Sequence, residues 1–398
     1  MNNLVKEKGG TFSLNKSEPI HRWYSYVEGY SSCLITEELK RLISMNQHIQ
    51  AVYDPFCGTG TTALVASCQG LDSYYSESNP FMQKVIETKI NGVRLLYRNE
   101  TISQLEKYLE LIPKCKIKDY ATWNGFEKFF DSKQLSELLT IKALISDEDN
   151  QIVKDILYIA LSAIVVKVSK MTRRGDLRYA TEKEYKAEDV IKCFVEKLRE
   201  IIFDIKNYAS FLKCDTVKVS EDARDNNYEN AFDCVITSPP YLNGTNYIRN
   251  TKLELKLNDF IVDEKDLPVF HSKGIVAGIN NVSKRTSIDM ILPMVQPYIE
   301  MLQPVSYDER IPKMVAGYFR DMDKVIEKLS ISVKNGGLFT MDIGDSQFAG
   351  VHIPTHQILS DICRERGFIL YDEEILRERH SKNGMVLSQR LLRYRLEK

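Results

Sequence analysis

Residues 237–241, Thr-Ser-Pro-Pro-Tyr, directly follow the apolar run FDCVI and combine three groups that could act on a ligand. Proline has no N–H for a β-ladder, so two consecutive prolines end the strand and stiffen the loop after it. In such a loop the Ser238 hydroxyl and the Pro239 carbonyl are fixed hydrogen-bond acceptors beside the flat ring of Tyr241. The pattern predicts a preorganised polar site at the end of a buried strand.

A second group of small residues, DPFCGTGTT at 54–62, lies between an apolar strand pattern and a helical pattern. Gly58 and Gly60 let the backbone turn tightly with no Cβ in the way of a ligand. Thr61 and Thr62 open the helix, where N–H groups and hydroxyls favour a negatively charged group. The third glycine of a dinucleotide fingerprint is missing and no Lys-Ser/Thr pair follows, which disfavours a nicotinamide oxidoreductase and a nucleoside-triphosphate loop.

Two acidic residues follow strand patterns and complete a candidate nucleoside site. Glu77 lies nineteen residues beyond Gly58, where a carboxylate can accept hydrogen bonds from both hydroxyls of a ribose. Asp222, in EDARD, follows the next strand pattern, where we expect it to contact an adenine amino group. Either acid alone would be interpreted as an exposed surface carboxylate. Because both follow strands of one sheet, we expect them to form one nucleoside-binding site.

Together, DPFCGTGTT, SESNP, EDARD and TSPPY resemble the amino-methyltransferases of DNA, which use S-adenosylmethionine. The segment HRWYSYVEGYSSCL at 21–34 is similar to the N-terminal motif of that family that packs over the methionine end of the cofactor. The resemblance covers residues 21–94 and 214–247 and, more weakly, 316–398. The cofactor-binding residues that it implies are Trp23, Tyr30, Ser31, Asp54, Phe56, Gly58, Gly60, Thr61, Thr62, Glu77, Ser78, Asn79, Asp222 and Ala223.

The Ser-Pro-Pro-Tyr form resembles the subset of this family that methylates the exocyclic N4 amine of cytosine, whereas adenine enzymes more often carry Asp-Pro-Pro-Tyr. The resemblance implies double-stranded DNA as substrate, a base flipped out of the duplex, and a cognate restriction endonuclease encoded nearby. The catalytic residues that it implies are Ser238, Pro239, Pro240 and Tyr241.

These residue types suit methylation of an amine whose lone pair is delocalised into a ring. Two acceptors that hold the amine hydrogens, Ser238 Oγ and the Pro239 carbonyl, draw the nitrogen towards a pyramidal geometry and free the lone pair. Stacking of the base on Tyr241 contributes roughly 1–3 kcal/mol. Methylation of carbon 5 would need a cysteine after the proline, and Tyr241 stands there instead. We expect neither a thiol nucleophile nor a metal.

The elements that position these residues predict an α/β fold: a doubly wound, mostly parallel sheet of the S-adenosylmethionine-dependent methyltransferase type, with a helical insertion and a second, target-recognition insertion. Within the insertion, helical spacing predicts almost no strand, and Gly175 is expected to end a helix. The expected segments are 1–94, the cofactor-binding half; 95–212, the helical insertion and possible DNA clamp; 213–247, the catalytic half; 248–315, the target-recognition candidate; and 316–398, the rest of the sheet.

Two basic stretches are candidates for DNA contact, one in the insertion and one after the catalytic loop. Arginine binds phosphates and reads guanine edges, so we expect the insertion to clamp phosphates and the later segment to read bases. A solvated surface explains either stretch equally well. The residues concerned are Arg173, Arg174, Arg178, Arg249, Lys284 and Arg285.

Bulk composition limits the class without deciding the substrate. The formal net charge of the 398 residues is −1, which does not by itself indicate nucleic-acid binding. We expect no signal peptide and no membrane span, and eight cysteines without metal-binding spacing predict a cytoplasmic protein with reduced thiols.

Three alternatives stay open: N6 methylation of adenine in DNA, methylation of guanine in tRNA, and a catalytically idle DNA-binding protein. Ser238 disfavours methylation of adenine. The short stretch before the first motif disfavours a tRNA enzyme, and the intact motif residues disfavour a catalytically idle protein.

Overall fold

The computed structural model describes residues 10–25, 29–45, 48–242, 246–283, 290–381 and 384–398, without the side chain of Arg174. Its strands are β1 (Ala51–Asp54), β2 (Asp72–Ser76), β3 (Met171–Arg174), β4 (Asp176–Tyr179), β5 (Thr216–Ser220), β6 (Phe232–Thr237), β7 (Val333–Gly344), β8 (Ser346–Phe348), β9 (Val351–Ile353), β10 (Phe368–His380) and β11 (Val386–Leu396).

Its α-helices, numbered along the chain, connect and cover these strands. They are α1 (Ser32–Met45), α2 (Thr61–Gln69), α3 (Pro80–Glu87), α4 (Val93–Arg98), α5 (Ile102–Leu111), α6 (Ser132–Ser146), α7 (Gln151–Val165), α8 (Val190–Tyr208), α9 (Tyr247–Asn250), α10 (Lys252–Leu257), α11 (Leu267–His271), α12 (Gln296–Leu302), α13 (Arg310–Ser332) and α14 (Thr355–Glu365). A π-helical turn, Thr88–Gly92, joins α3 to α4.

One seven-stranded sheet, in the order β10-β11-β7-β6-β1-β2-β5, organises the chain. The strands from β7 to β5 run parallel, while β11 pairs antiparallel with both β7 and β10. Strands β1 and β6 are buried along their whole length, as parallel strands covered by helices on both faces must be. The expected doubly wound α/β sheet of the methyltransferase type is confirmed. Its order reverses between β1 and β6, where ligands of such sheets bind beyond the carboxyl ends of the strands.

The insertion between β2 and β5 is mainly helical, as predicted, but the prediction for residues near Gly175 was wrong. Gly175 does not end a helix; it is the turn of the antiparallel β3–β4 hairpin, with φ at 83°. Asn250 fixes this hairpin to the segment after the catalytic loop: its Oδ1 accepts from Leu177 N–H at 2.6 Å and its Nδ2 donates to the Gly175 carbonyl at 2.5 Å. Those bonds come from residues distant in sequence, so helical spacing alone missed the hairpin.

Apolar side chains form separate clusters on the sheet and inside the insertion. The cluster of the insertion includes Phe194 and also Leu253 from α10, so the helix after the catalytic loop packs with the insertion. Another cluster lies between the sheet and the helices α13 and α14, around Phe339 and Met322. In the part of the chain that the structure describes, no helix is long and apolar enough to cross a membrane.

Candidate active site

The glycine-rich loop lies between the end of β1 and the start of α2. Gly58 and Gly60 both have left-handed backbone conformations, with φ of 55° and 84°, which residues with a Cβ rarely adopt. A Cβ on Gly60 would lie 3.1 Å from Ile86 Cγ1. The two glycines therefore let the loop turn sharply while α3 packs close behind it.

Asp54, at the end of β1, holds three parts of the chain together. It is 1% exposed, and its carboxylate accepts from Tyr30 Oη at 2.8 Å and from Thr237 Oγ1 at 2.6 Å. Tyr30 Oη also contacts Thr62 Oγ1. Burial raises the pKa of Asp54, which these hydrogen bonds oppose. Asp54 and Thr62, which we expected to touch the cofactor, thus connect the N-terminal segment to the ends of β1 and β6.

Glu77, just beyond β2, closes the glycine loop through both oxygens of its carboxylate. Its Oε2 accepts from Gly58 N–H at 2.8 Å and its Oε1 accepts from Asn79 N–H at 2.8 Å. Burial raises the pKa of Glu77 to about 7, although these N–H groups act in the opposite direction. An ionised carboxylate has about four acceptor sites, so two remain for the hydroxyls of a bound ligand.

A cavity, the cofactor cavity, lies over the ends of β1, β2 and β5. The structure brings nine of the predicted residues to its wall. They are Tyr30, Phe56, Gly58, Thr61, Glu77, Ser78, Asn79, Asp222 and Ala223.

Asp222 lies in this wall, but an arginine occupies its carboxylate. Arg224 donates to it with Nε at 2.9 Å and with Nη2 at 2.6 Å, and Arg224 Nη1 also lies 3.2 Å from Asp321. Arg224 belongs to the same motif, EDARD, but we did not predict from the sequence that its side chain would turn back onto Asp222. The ion pair fixes Asp222 and reduces the acceptor capacity that we expected an adenine amine to use.

Five of the predicted cofactor residues lie outside this wall: Asp54 and Thr62, described above, and Trp23, Ser31 and Gly60. Trp23 is fully buried against the insertion, and its Nε1 donates to Asp204 at 2.9 Å. Ser31 is also buried, and its Oγ accepts from Leu34 N–H in the first turn of α1. Gly60 contributes the backbone turn described above.

The Ser-Pro-Pro-Tyr loop separates the cofactor cavity from a second one, the hairpin cavity. Ser238 and Pro240 line the cofactor cavity, while Ser238, Pro239 and Tyr241 line the hairpin cavity. Ser238 therefore faces both. The remaining wall of the hairpin cavity is Gly10, Thr11, Gly29, Tyr247, Gly344, Arg377, Arg379, Leu387, Ser388 and Gln389.

Tyr241 is held in the hairpin cavity by the sheet beneath it. Its Oη donates to Asp342 at 3.1 Å, and its ring lies over Gly344, where a Cβ would come within 3.1 Å of it. Gln389 Nε2 also donates to Asp342, at 2.9 Å. Burial raises the pKa of Asp342 to about 7. These contacts fix the ring and leave its face towards the cavity.

The predicted DNA-contacting arginines differ sharply in their surroundings. Arg173 is largely buried, and its Nη2 donates to Glu254 at 2.7 Å and to the Asn250 carbonyl at 2.6 Å, so its guanidinium already has partners within the fold. Arg178 is exposed, but Glu184 binds it with both oxygens. Arg249 is exposed on α9, beside two cavity residues. Lys284, Arg285 and the side chain of Arg174 lie outside the described residues.

Sequence reasoning missed two parts of the site. Residues 270–281, placed in the base-reading segment, supply Phe270, Lys273 and Ile275 to the cofactor cavity. Strands β10 and β11 supply five of the thirteen described residues that line the hairpin cavity. Neither part carries a short motif, although the basic residues of β10 and β11 were a signal that the sequence displayed.

No protein-family model matches the chain, but individual proteins resemble it over most of its length. The chain is 26% identical to the Type II methyltransferase M.AvaI of Nostoc sp. strain PCC 7120, over 90% of this chain and 81% of that protein. It is 24% identical to M.BsoBI of Geobacillus stearothermophilus, over 90% and 80%. It is 22% identical to M.MvaI of Kocuria varians, over 89% and 83%; both are also named Type II methyltransferases.

The fold and these relatives define the class: a methyltransferase built on a doubly wound α/β sheet. Methyltransferases of this fold take the methyl group from S-adenosylmethionine, and the residues present fit that cofactor. Glu77 keeps acceptor capacity beyond its two N–H partners, and the left-handed glycines leave space for a close approach. Phe56, Ile248 and Ile275 supply apolar surface.

Proposed function

We propose that this protein is a site-specific DNA methyltransferase that transfers a methyl group from S-adenosylmethionine to the N4 amine of a cytosine flipped out of duplex DNA. One observation carries the proposal: Ser238 lines both cavities, so its loop stands where a cofactor on one side meets a base on the other. The relatives named Type II methyltransferases support a role in a cytoplasmic restriction-modification system, with a cognate endonuclease encoded nearby.

On the cofactor side, the chain supplies orientation and exclusion of water. When bound, S-adenosylmethionine supplies a methyl group on a positively charged sulfur. Ionised Glu77 accepts hydrogen bonds from the ribose hydroxyls, while Phe56 and Ile248 cover apolar surface. The N-terminus of α2, which Thr61 begins, favours the carboxylate of the cofactor.

On the base side, the loop holds the amine that is methylated. Ser238 Oγ and the Pro239 carbonyl accept the two amine hydrogens, which frees the nitrogen lone pair for attack. The base stacks on Tyr241, whose ring Asp342 and Gly344 already hold in place. Because these groups are fixed before the base arrives, little reorganisation is needed at the moment of reaction.

The segments 95–212 and 248–315 remain our candidates for clamping and reading the DNA. Arg249 supports a role for the second, since it is exposed beside Tyr247, which lines both cavities. The part at 270–281 instead serves the cofactor side.

The test is to incubate the purified protein with S-adenosylmethionine carrying a tritiated methyl group and with unmethylated, mixed-sequence duplex DNA. A parallel reaction contains tRNA, and Ser238→Ala serves as the inactive control. The nucleic acid is digested to nucleosides, and the labelled nucleoside is identified by mass spectrometry.

We expect the label in N4-methylcytosine. Label in N6-methyladenine would keep the amine chemistry and refute the assignment of cytosine. Label in tRNA alone would refute DNA as substrate, and no label in either, despite measurable cofactor binding, would favour the idle DNA-binding protein.

A further inference from the structure

Two arginines of β10, Arg377 and Arg379, line the hairpin cavity next to the catalytic loop. Both are exposed, and within the described residues neither guanidinium forms an ion pair. Most other arginines that we have described are neutralised at close range, as Arg173 is by Glu254 and Arg178 by Glu184. An arginine pair left exposed beside a cavity is available to an anionic ligand.

The register of the hairpin places both arginines on the same face. Arg377 pairs with Gln389 and Arg379 with Leu387, and all four residues line the cavity. Gln389 in turn pairs with Gly344, on which the Tyr241 ring lies. Arg377 therefore lies level with Gly344, below the Tyr241 ring, across β10, β11 and β7. Arg379 lies two residues further along β10.

The spacing of the pair suits a linear polyanion. Residues two apart on an antiparallel strand have Cα atoms about 7 Å apart and side chains on the same face. That span is comparable with the distance between successive phosphates of an extended nucleic-acid strand. Each guanidinium can bind a phosphate with two parallel hydrogen bonds.

The charge of the cavity wall is also one-sided. Its described lining contains two arginines and no aspartate or glutamate. The nearby Asp342 is buried beneath the wall, where Gln389 and Tyr241 already donate to it. Arg393, a further buried charge, is held by Glu38, Asp372 and Glu374 and does not line the cavity. The charged side chains in the described wall of the hairpin cavity are therefore the arginine pair.

We propose that Arg377 and Arg379 bind the two backbone phosphates on either side of the extruded nucleotide. The pair thereby holds the flipped conformation while the base occupies the hairpin cavity. This inference rests on the proposed function, because it needs a nucleic-acid strand whose target base enters that cavity.

The experiment compares wild type with the double variant Arg377→Ala, Arg379→Ala. The rate of methylation at subsaturating mixed-sequence duplex DNA is measured over a range of salt concentrations, and the affinity for S-adenosylmethionine is measured in parallel. Two controls separate charge from folding: Arg395→Ala, an exposed arginine of β11 that lines neither cavity, and the charge-retaining double variant Arg377→Lys, Arg379→Lys.

We expect kcat/KM for DNA to fall roughly 10-fold for each arginine removed. The slope of log kcat/KM against log salt should become shallower by about 1.5, because two phosphate contacts are lost. Cofactor affinity should stay within twofold. Arg395→Ala should behave as wild type, and the lysine variant should keep the slope while losing part of the rate.

A second measurement places the contacts on the target nucleotide. In a duplex carrying the identified site, a neutral methylphosphonate replaces the phosphate on either side of the target. Each replacement should slow wild type but add nothing to the loss in the double alanine variant.

Additive losses, or an unchanged salt slope, would overturn the phosphate contact and leave the proposed function standing, since wild type would still methylate DNA. Failure of wild type to methylate DNA would instead overturn the proposed function, and this inference with it.

Discussion

The cofactor cavity and the hairpin cavity meet at Ser238 but are built and charged differently. The cofactor cavity lies at the ends of parallel strands and carries Glu77, Asp222 and Lys273 in its wall, with Asp222 paired to Arg224 and Lys273 paired to Glu221. The hairpin cavity lies across antiparallel strands and carries Arg377 and Arg379 with no acid among its described lining. Outside those ion pairs, the cofactor cavity offers the carboxylate of Glu77, which suits a positive sulfonium, and the hairpin cavity offers two arginines, which suit a negative nucleic-acid strand. The difference teaches that one rigid loop can separate two electrostatic environments and still face both.

If the cavities divide the work in this way, the largest effect should come from Gly58→Val on the cofactor side. Valine is β-branched and disfavours the left-handed backbone at φ 55°, and its side chain would enter the cavity. We expect the affinity for S-adenosylmethionine to fall by about 1,000-fold or more, measured by calorimetry. DNA affinity serves as the control for folding and should change less than twofold. Cofactor binding within threefold of wild type would contradict the assigned role of the loop.

Ser238→Ala should separate chemistry from binding at the boundary of the two cavities. Loss of one amine acceptor is expected to slow the single-turnover rate by about 10²–10³-fold, as for other preorganised groups aimed at a reacting centre. The affinity for S-adenosylmethionine should stay within twofold, because the other cofactor contacts persist. An unchanged rate would show that the serine does not hold the amine.

The pH dependence of cofactor binding should report Glu77, and the difference between wild type and Glu77→Gln separates it from other groups that titrate in the same range. Its pKa is raised to about 7, and only the carboxylate can accept from both ribose hydroxyls. Binding should therefore weaken by about tenfold per pH unit below 7 and level off above about 8. Glu77→Gln should bind more weakly at high pH and show no such dependence. A wild-type affinity that is constant between pH 5.5 and 8.5 would argue against the ribose contact.

The smallest effect is expected for Tyr241→Phe on the base side. The substitution removes the hydrogen bond to Asp342 but keeps the ring over Gly344. We expect a loss of about 1 kcal/mol in the free energy of unfolding by urea and a change in turnover below about fivefold. A loss of turnover near 100-fold would mean that the phenol hydroxyl takes part in the chemistry.

Much of the fold could be predicted because its signals are local. Apolar runs followed by Gly58 or by Pro239 mark the ends of β1 and β6, since glycine allows left-handed backbones and proline lacks an N–H. The β3–β4 hairpin was not predictable in this way. Gly175 is compatible with a helix end and with a hairpin turn, and bonds from Asn250 decide between them.

The sequence predicted correctly that some motif residues at strand ends would line the cofactor cavity. Glu77 follows a strand end and reaches the cofactor cavity, as its position predicted. Asp54 also follows a strand end, but Tyr30 and Thr237 occupy its carboxylate. The position of a residue in a motif predicts that it lies near the cavity. Its hydrogen-bond partners elsewhere in the fold decide whether its polar atoms are available there.

The sequence by itself determined the sheet class, the two loops and their residue types, because these depend on backbone chemistry within a few residues. Only the tertiary structure decided which arginines are available to a ligand. Glu254 neutralises Arg173 from a distant helix, whereas the register of β10 and β11 leaves Arg377 and Arg379 exposed beside Ser238. Charge depends on partners in space, and the linear sequence does not show which partners the fold will bring together.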